Sequence, residues 1–410
     1  MTFSNQPLKI LMVGWEWRPH NSGGLGVACE GLVKGITNNG AEIIFILPKK
    51  LDYHLSPFCK FLFVNENLKT KKNNFSLSVY PRLNLLTTIK NNPDQFYSFN
   101  FLEEVNQYAN SILKIVDSEN FDLIHCHDWL TYPAAIEIKK KFHKPLIVHI
   151  HATEFDRGGG LSINPQIYEI EKQGFENADV IIAISNFIKN KITQYYGIKS
   201  EKIKIVHNAV EHKDYLKLND QDVFNLRASG KKVVLFAGRI TIQKGLDYFI
   251  RSAKKVLEKN PNVVFIVVGS GDMEAQMIEE VAHLGISDKV LFTGFLRGSD
   301  LIKMYQAADL YVFPSVSEPF GLMPLEVLVT ETPVLISKQS GVSEILSHCL
   351  KVDFWDINEM ANKILAVLEY PELQESLRKN GHQEVKKFTW QEAGTKCLKI
   401  YQELLGLSIS

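Results

Sequence analysis

The sequence predicts an α/β protein built from two doubly wound parallel sheets, each with its own core. Short, continuous apolar runs recur with helical stretches between them, the pattern of parallel strands covered on both faces. At 410 residues the chain is too long for one ordinary core. A polar stretch at 211–230 interrupts the alternation, which restarts at Lys232.

In the first half, 9–14 (KILMVG) reads as a buried strand, followed by a long polar loop and a helix from about Gly26 to Asn39. The next strand is 42–48 (EIIFILP), and later ones are 123–127, 146–151, 180–185 and 203–208. The second half supplies strands at 232–238 (KVVLFAG), 263–269, 290–293, 310–314 and 333–337. The closing segment 390–405 has helical periodicity and the length to reach back to the first half. The expected organisation is a domain at 1–212, a second at 213–388, and a returning helix at 389–410. In such sheets ligands bind beyond the carboxyl ends of the strands, which directs attention to the strand-end loops and to a cleft between two facing sheets.

Composition limits the function classes. Lys+Arg and Asp+Glu both total 46, so no global field draws the chain to nucleic acid or membrane. A local basic excess does exist at 49–90, where Lys49, Lys50, Lys60, Lys69, Lys71, Lys72, Arg82 and Lys90 face only Asp52 and Glu66. Such a patch suits either a solvated insertion or peripheral contact with anionic headgroups. No signal peptide, no apolar stretch of spanning length and no stable membrane association are expected. The five cysteines are scattered without a CxxC pair, as in reduced thiols, and the expected compartment is the cytoplasm.

Chemistry-bearing residues gather in the strand-end loops. After 232–238 come Gly238-Arg239 and Gln243-Lys244-Gly245, a guanidinium and an ammonium beside a helix start, a combination suited to a diphosphate. After 310–314 comes Ser317-Glu318-Pro319-Phe320-Gly321-Leu322-Met323-Pro324-Leu325-Glu326. Its glycine permits close backbone approach, and its two glutamates can face one site, one for sugar hydroxyls and one for ribose. Gly269-Ser270-Gly271-Asp272 is a further glycine turn, and 339–344 (QSGVSE) offers a small-residue anion nest.

In the first half the loop 15–27 (WEWRPHNSGGLGV) brings Gly23 and Gly24 to a helix start. It is no dinucleotide fingerprint, since Cys29 stands where the third glycine belongs. Two strands end in His125-Cys126-His127-Asp128-Trp129 and His149-Ile150-His151-Ala152-Thr153-Glu154. Alternation puts each histidine pair on one face. Four imidazoles invite a metal reading, but metal-activated sugar transfer uses a hard cation on oxygen ligands, so no metal is expected. Asp220-Gln221-Asp222 reads as a turn or helix cap.

Taken in order, Gly-Arg…Lys-Gly, the glycine turn after the next strand, and the Glu…Glu segment containing Pro-Phe-Gly resemble the donor domain of GT-B glycosyltransferases of family 4, glycogen and starch synthases among them. The His-x-His-Asp-Trp and His-Ala-Thr-Glu strings are similar to the acceptor domain of the glycogen synthase-like members. The resemblance covers nearly the whole chain apart from about 50–110. It implies a GT-B fold, a nucleotide-sugar donor such as UDP- or ADP-glucose, a glycan acceptor and no separate cofactor. By position it implies Arg239 and Lys244 on the donor diphosphate, Glu318 on the sugar, Glu326 on the ribose and backbone near Leu296 on the base. Gly23, Gly24, Gly238, Gly269, Phe320, Gly321 and Leu322 complete the donor set. Asp128 and His151 would line the pocket where sugar and acceptor meet, with His125 and His149 as strand-packing residues. Asn21 stands where the glucan synthases carry a lysine, which leaves UDP and ADP both open.

The resulting expectation is metal-independent transfer of glucose to an α-1,4-glucan with retention at the anomeric carbon. Two alternatives stand beside it: a transferase acting on a lipid-linked or cell-surface glycan precursor, and an inactive carbohydrate-binding protein on the same fold.

Overall fold

The computed structural model of the chain describes residues 7–20, 23–52, 57–67, 99–157, 163–215 and 230–407. They form two compact units, one drawn from Met1–Phe155, Ser162–Ala209 and Trp390–Ser410, the other from Asp156–Leu161 and Val210–Thr389. Asp220-Gln221-Asp222, and the basic residues Lys69, Lys71, Lys72, Arg82 and Lys90, lie outside the described residues.

The first unit holds seven strands: β1 (Lys9–Val13), β2 (Glu42–Leu47), β3 (Lys60–Phe63), β4 (Leu123–His127), β5 (Leu146–Ile150), β6 (Val180–Ala183) and β7 (Ile203–Ile205). They pair in the order β3-β2-β1-β4-β5-β6-β7, every ladder parallel. The second unit holds β8 (Lys232–Ala237), β9 (Val263–Val268), β10 (Val290–Gly294), β11 (Leu310–Phe313), β12 (Val334–Ser337) and β13 (Leu350–Val352). Their order is β10-β9-β8-β11-β12-β13, again all parallel. Counted within its own unit, each sheet therefore begins 3-2-1-4-5-6, the doubly wound order.

Burial explains the apolar runs. Ile10 to Val13 are wholly buried in β1 and Val234 to Phe236 nearly so in β8, because helices cover both faces of a parallel sheet. Several strands stop one to three residues before the end of the apolar run, β7 at Ile205 and β5 at Ile150, as the chain turns into its loop. The edge strands β3 and β13 were not foreseen; at four and three residues they are too short to carry a pattern.

In the first unit the helix Gly24–Asn38 packs against the final helix Trp390–Leu405. Glycine makes this approach possible. A Cβ on Gly31 would overlap the Trp390 ring, one on Gly35 the Trp390 carbonyl, and one on Gly394 the Gly35 backbone. Buried Trp390, Cys397 and Tyr401 join the same core as Ile10, Met12, Phe45 and Leu123. Gly35→Ala should therefore destabilise this unit by about 1–3 kcal/mol through overpacking, read as a lower urea midpoint. An unchanged midpoint would mean that the two helices separate without cost.

Candidate functional site

In a doubly wound sheet the crevice opens where the strand order reverses, between β1 and β4 in the first unit and between β8 and β11 in the second. The loops leaving those four strands carry most of the residues singled out by the sequence.

In the second unit these loops are locked to one another through backbone. Gly238 N–H donates to the Val268 carbonyl at 2.9 Å, and Ile240 N–H to that of Ser270 at 3.0 Å. Gly269 has φ 138°, and a Cβ there would overlap the Gly238 carbonyl; Gly245 has φ 66°, and a Cβ there would overlap that of Pro314. Any L side chain would be strained at both positions and would push the loops apart. The Gln243 amide donates to the Ser317 carbonyl at 2.9 Å, and Val316 N–H donates to the Gln243 carbonyl at 2.9 Å. On the other side, Glu318 N–H donates to the Gln339 carbonyl at 3.1 Å and Gly341 N–H to the Glu318 carbonyl at 3.0 Å. Gly321, at φ 99°, lies against the Phe313 ring.

On this scaffold Lys244 Nζ donates to the Glu318 carboxylate. Both side chains are about nine-tenths covered, at 12% and 11% exposure, so the pair is much less screened than a surface ion pair. The ammonium also lies 5.6 Å from the centre of the Phe313 ring. The expected diphosphate cation and the expected sugar acid are thus direct partners. Arg239 is half-buried at the start of the same turn, beside Gly238.

Glu326, half-buried on the short helix Met323–Val329, accepts a hydrogen bond from the Tyr305 hydroxyl at 3.3 Å. Burial first, then the Glu326 and Glu318 charges, pushes the Tyr311 phenol well up, so both carboxylates act on one buried ring. Tyr311 in turn donates to the Ala237 carbonyl at 3.1 Å, at the end of β8. Phe320 is buried, Leu322 is the half-buried cap of that short helix, and Leu296 is half-buried in the loop after β10. The 339–344 nest contains only the short 3-10 turn Gly341–Glu344.

In the first unit Gly23 is the extended cap of the helix that begins at Gly24. Asp128 follows β4 at φ 60°, a conformation uncommon outside glycine. Its Oδ1 accepts the backbone N–H of His151 at 2.6 Å and that of Ala152 at 3.4 Å. This carboxylate, expected at a sugar, therefore also fixes the turn that carries His151. Its own N–H donates to the His149 carbonyl at 2.9 Å.

The four imidazoles form one buried block. His127 and His149 stand opposite each other in the β4–β5 register. His125 Nε2 lies 3.1 Å from His149 Nδ1, and His127 Nδ1 lies 3.1 Å from His151 Nε2. His125 Nδ1 meets the Tyr401 hydroxyl at 2.6 Å, a partner contributed by the final helix. Tyr401 escaped sequence reading; its only signal was its place one turn after Cys397 on an amphipathic helix. Burial, with neighbouring imidazoles adding, lowers His125 to about 3 and takes His127 and His149 well below the usual imidazole range. Burial lowers His151 as well, with Asp128 opposing.

These rings are neutral when folded and regain an ordinary basicity near 6.5 when unfolded, so the unfolded chain binds more protons in acid. Stability of the first unit is complete above about pH 6.5 and falls as pH drops below it, by up to roughly 1.4 kcal/mol per pH unit for each imidazole. Urea titrations from pH 7 to 5 in chelator-containing buffer should show this slope. A flat profile would mean that the block is protonated or solvated in the native state.

Comparison with known proteins follows the same division. Residues 22–214 match the family Glycosyltransferase Family 4, and residues 219–384 match Glycosyl transferases group 1. An uncharacterized glycosyltransferase of Methanocaldococcus jannaschii is 30% identical over 97% of this chain and 100% of its own. Glycogen synthase of Mycobacterium tuberculosis is 25% identical over 68% of each chain. D-inositol 3-phosphate glycosyltransferase of Segniliparus rotundus is 28% identical over 69% of this chain and 66% of its own. Among solved structures, sucrose-phosphate synthase from Thermosynechococcus elongatus superposes with a TM-score of 0.77 at 21% identity, covering 98% of this chain and 100% of that one. Anabaena HepE in complex with UDP and glucose gives 0.69 at 17% identity, covering 96% and 99%. These last two speak to fold alone, and the fold they share is GT-B.

Proposed function

The chain belongs to the group 1, family 4 glycosyltransferases, and from that premise we propose that it transfers glucose from UDP- or ADP-glucose to an α-1,4-glucan with retention. The observation that carries this reading is the pairing of Lys244 with Glu318, the lysine in the same loop as Arg239, on loops interlocked at the switch point of the second sheet.

In this reading the second unit holds the donor. An ammonium has three N–H groups, so Lys244 can keep Glu318 and still donate to phosphate oxygens, while Arg239 adds a planar fork. As the bond to the anomeric carbon breaks, negative charge grows on the departing diphosphate, and preorganised cations stabilise that charge more than the ground state. Glu318 has the chemistry to accept from sugar hydroxyls and Glu326 from ribose hydroxyls. The two cations supply stabilisation that other enzymes obtain from a divalent ion. Retention fits front-face displacement assisted by the leaving phosphate, because no carboxylate stands out as a covalent nucleophile. The first unit serves the acceptor through Asp128 and His151.

The glucan acceptor draws support from the similarity to a glycogen synthase. A phosphorylated small acceptor is the second reading, favoured by the similarity to D-inositol 3-phosphate glycosyltransferases. A screen of UDP- and ADP-glucose, UDP-galactose and GDP-mannose against glycogen, maltooligosaccharides and inositol phosphate separates them. Elongation of maltooligosaccharides supports the first reading, and transfer only to the phosphorylated acceptor replaces it.

Arg239→Ala and Lys244→Ala should each lower kcat by about 10²-fold or more, the usual effect of losing one donor to developing charge. Because Lys244→Ala also strands a covered carboxylate, Lys244→Met with Glu318→Gln serves as the folded control. Near-normal turnover in Arg239→Ala, or in the double variant, removes these groups from the mechanism.

A further inference from the structure

The histidine block has more donor atoms than sugar transfer through His151 would use. Among the described residues, a ligand atom from each of Cys29, His127 and His151 lies within 4.8 Å of the other two, and all three side chains are buried. His127 Nδ1 and His151 Nε2 are already 3.1 Å apart. Two imidazoles on one tetrahedral zinc ion, with bonds of about 2.0–2.1 Å, hold their nitrogens roughly 3.3 Å apart. A small movement of the thiol and one ring completes a site.

The surroundings favour a cation. The Asp128 and Glu16 carboxylates, 6% and 1% exposed, both act on the Cys29 thiol, which burial pushes up first and these charges push further. Two buried acids near the cluster would offset part of the charge of a divalent ion, and a thiol that coordinates one is deprotonated outright. Nitrogen and sulfur donors exclude Mg²⁺ and Ca²⁺ and select ions of the zinc class.

We propose that Cys29, His127 and His151 form a regulatory site for a zinc-class divalent cation. Binding displaces the thiol proton to solvent and forms one metal–sulfur and two metal–nitrogen bonds. With His151 coordinated, it is withdrawn from the sugar, so the ion inhibits transfer. Only this inhibitory consequence rests on the functional reading given above; the site itself stands on geometry.

The test uses the full chain, stripped of metal by chelator and dialysed. Zinc titrated against a chromophoric chelator should show one tight equivalent, unaffected by excess Mg²⁺. Cobalt in its place should give a thiolate-to-metal charge-transfer band in the near ultraviolet. Cys29→Ser should abolish the band and weaken zinc binding by about ten-fold or more, and His127→Gln should weaken it likewise. Near-ultraviolet circular dichroism of each variant reports whether its core is intact. Absence of a stoichiometric equivalent in the native protein overturns the site. Tight zinc binding without the band, kept in Cys29→Ser and lost in His149→Gln, overturns it in favour of the adjacent His125, His127 and His149 group. These readouts need no turnover, so a failed transferase assay leaves them interpretable. If the protein is active, zinc should inhibit the native enzyme and spare Cys29→Ser, and equal inhibition of both overturns the regulatory role.

Discussion

The strand-end loops of the second sheet depend on backbone meeting backbone. Gly238, Gly245 and Gly269 stand where three strand-end loops touch, and two of them have no room for a single extra carbon. That closeness lets Gln243 tie to Ser317 and sets Lys244 against Glu318. A loop held by main-chain hydrogen bonds on both sides loses little further freedom when a ligand arrives, so its charges need not be reordered. The glycines are therefore part of the electrostatics as well as of the packing.

The charge arrangement has two levels. Lys244 and Glu318 compensate each other across loops separated by 74 positions in the chain. A covered carboxylate without its cation would be costly, and the same holds for the cation. The pair is accordingly a structural element, whatever else it binds. Glu326 is anchored differently, through the Tyr305 hydroxyl, and Tyr311 feels both acids. In the first unit Asp128 has a structural part too, holding the His151 turn by its backbone.

Much of this was legible in sequence, for identifiable reasons. Buried parallel strands must be apolar on both faces, so β1, β4, β8 and β9 stood out. The final helix was readable because one face is buried in a core and the other is wet. Edge strands β3 and β13 have too few residues for a period. The chain pattern also put Lys244 and Glu318 in strand-end loops of the same sheet, but their direct bond depends on how far two loops fold toward each other, which composition does not encode. The Tyr401–His125 contact spans 276 positions and was equally invisible. Alternation put each histidine pair on one face of its strand, whereas the thiol beside them comes from the helix Gly24–Asn38.

The path of the chain has a consequence for biogenesis. The first unit's seven-stranded sheet closes at Ile205, yet its core includes Trp390, Cys397 and Tyr401 from the helix Trp390–Leu405, which follows the second unit in the chain. During translation the groove beside Gly31 and Gly35 stays open until the whole second unit has left the ribosome. The first unit is thus begun before the second and finished after it, while the second, contiguous apart from 156–161, can mature in the interval. Loss of the helix Trp390–Leu405 would leave His125 without its phenol and an apolar groove facing water, a defect in a sheet whose strands were all made before those of the second unit.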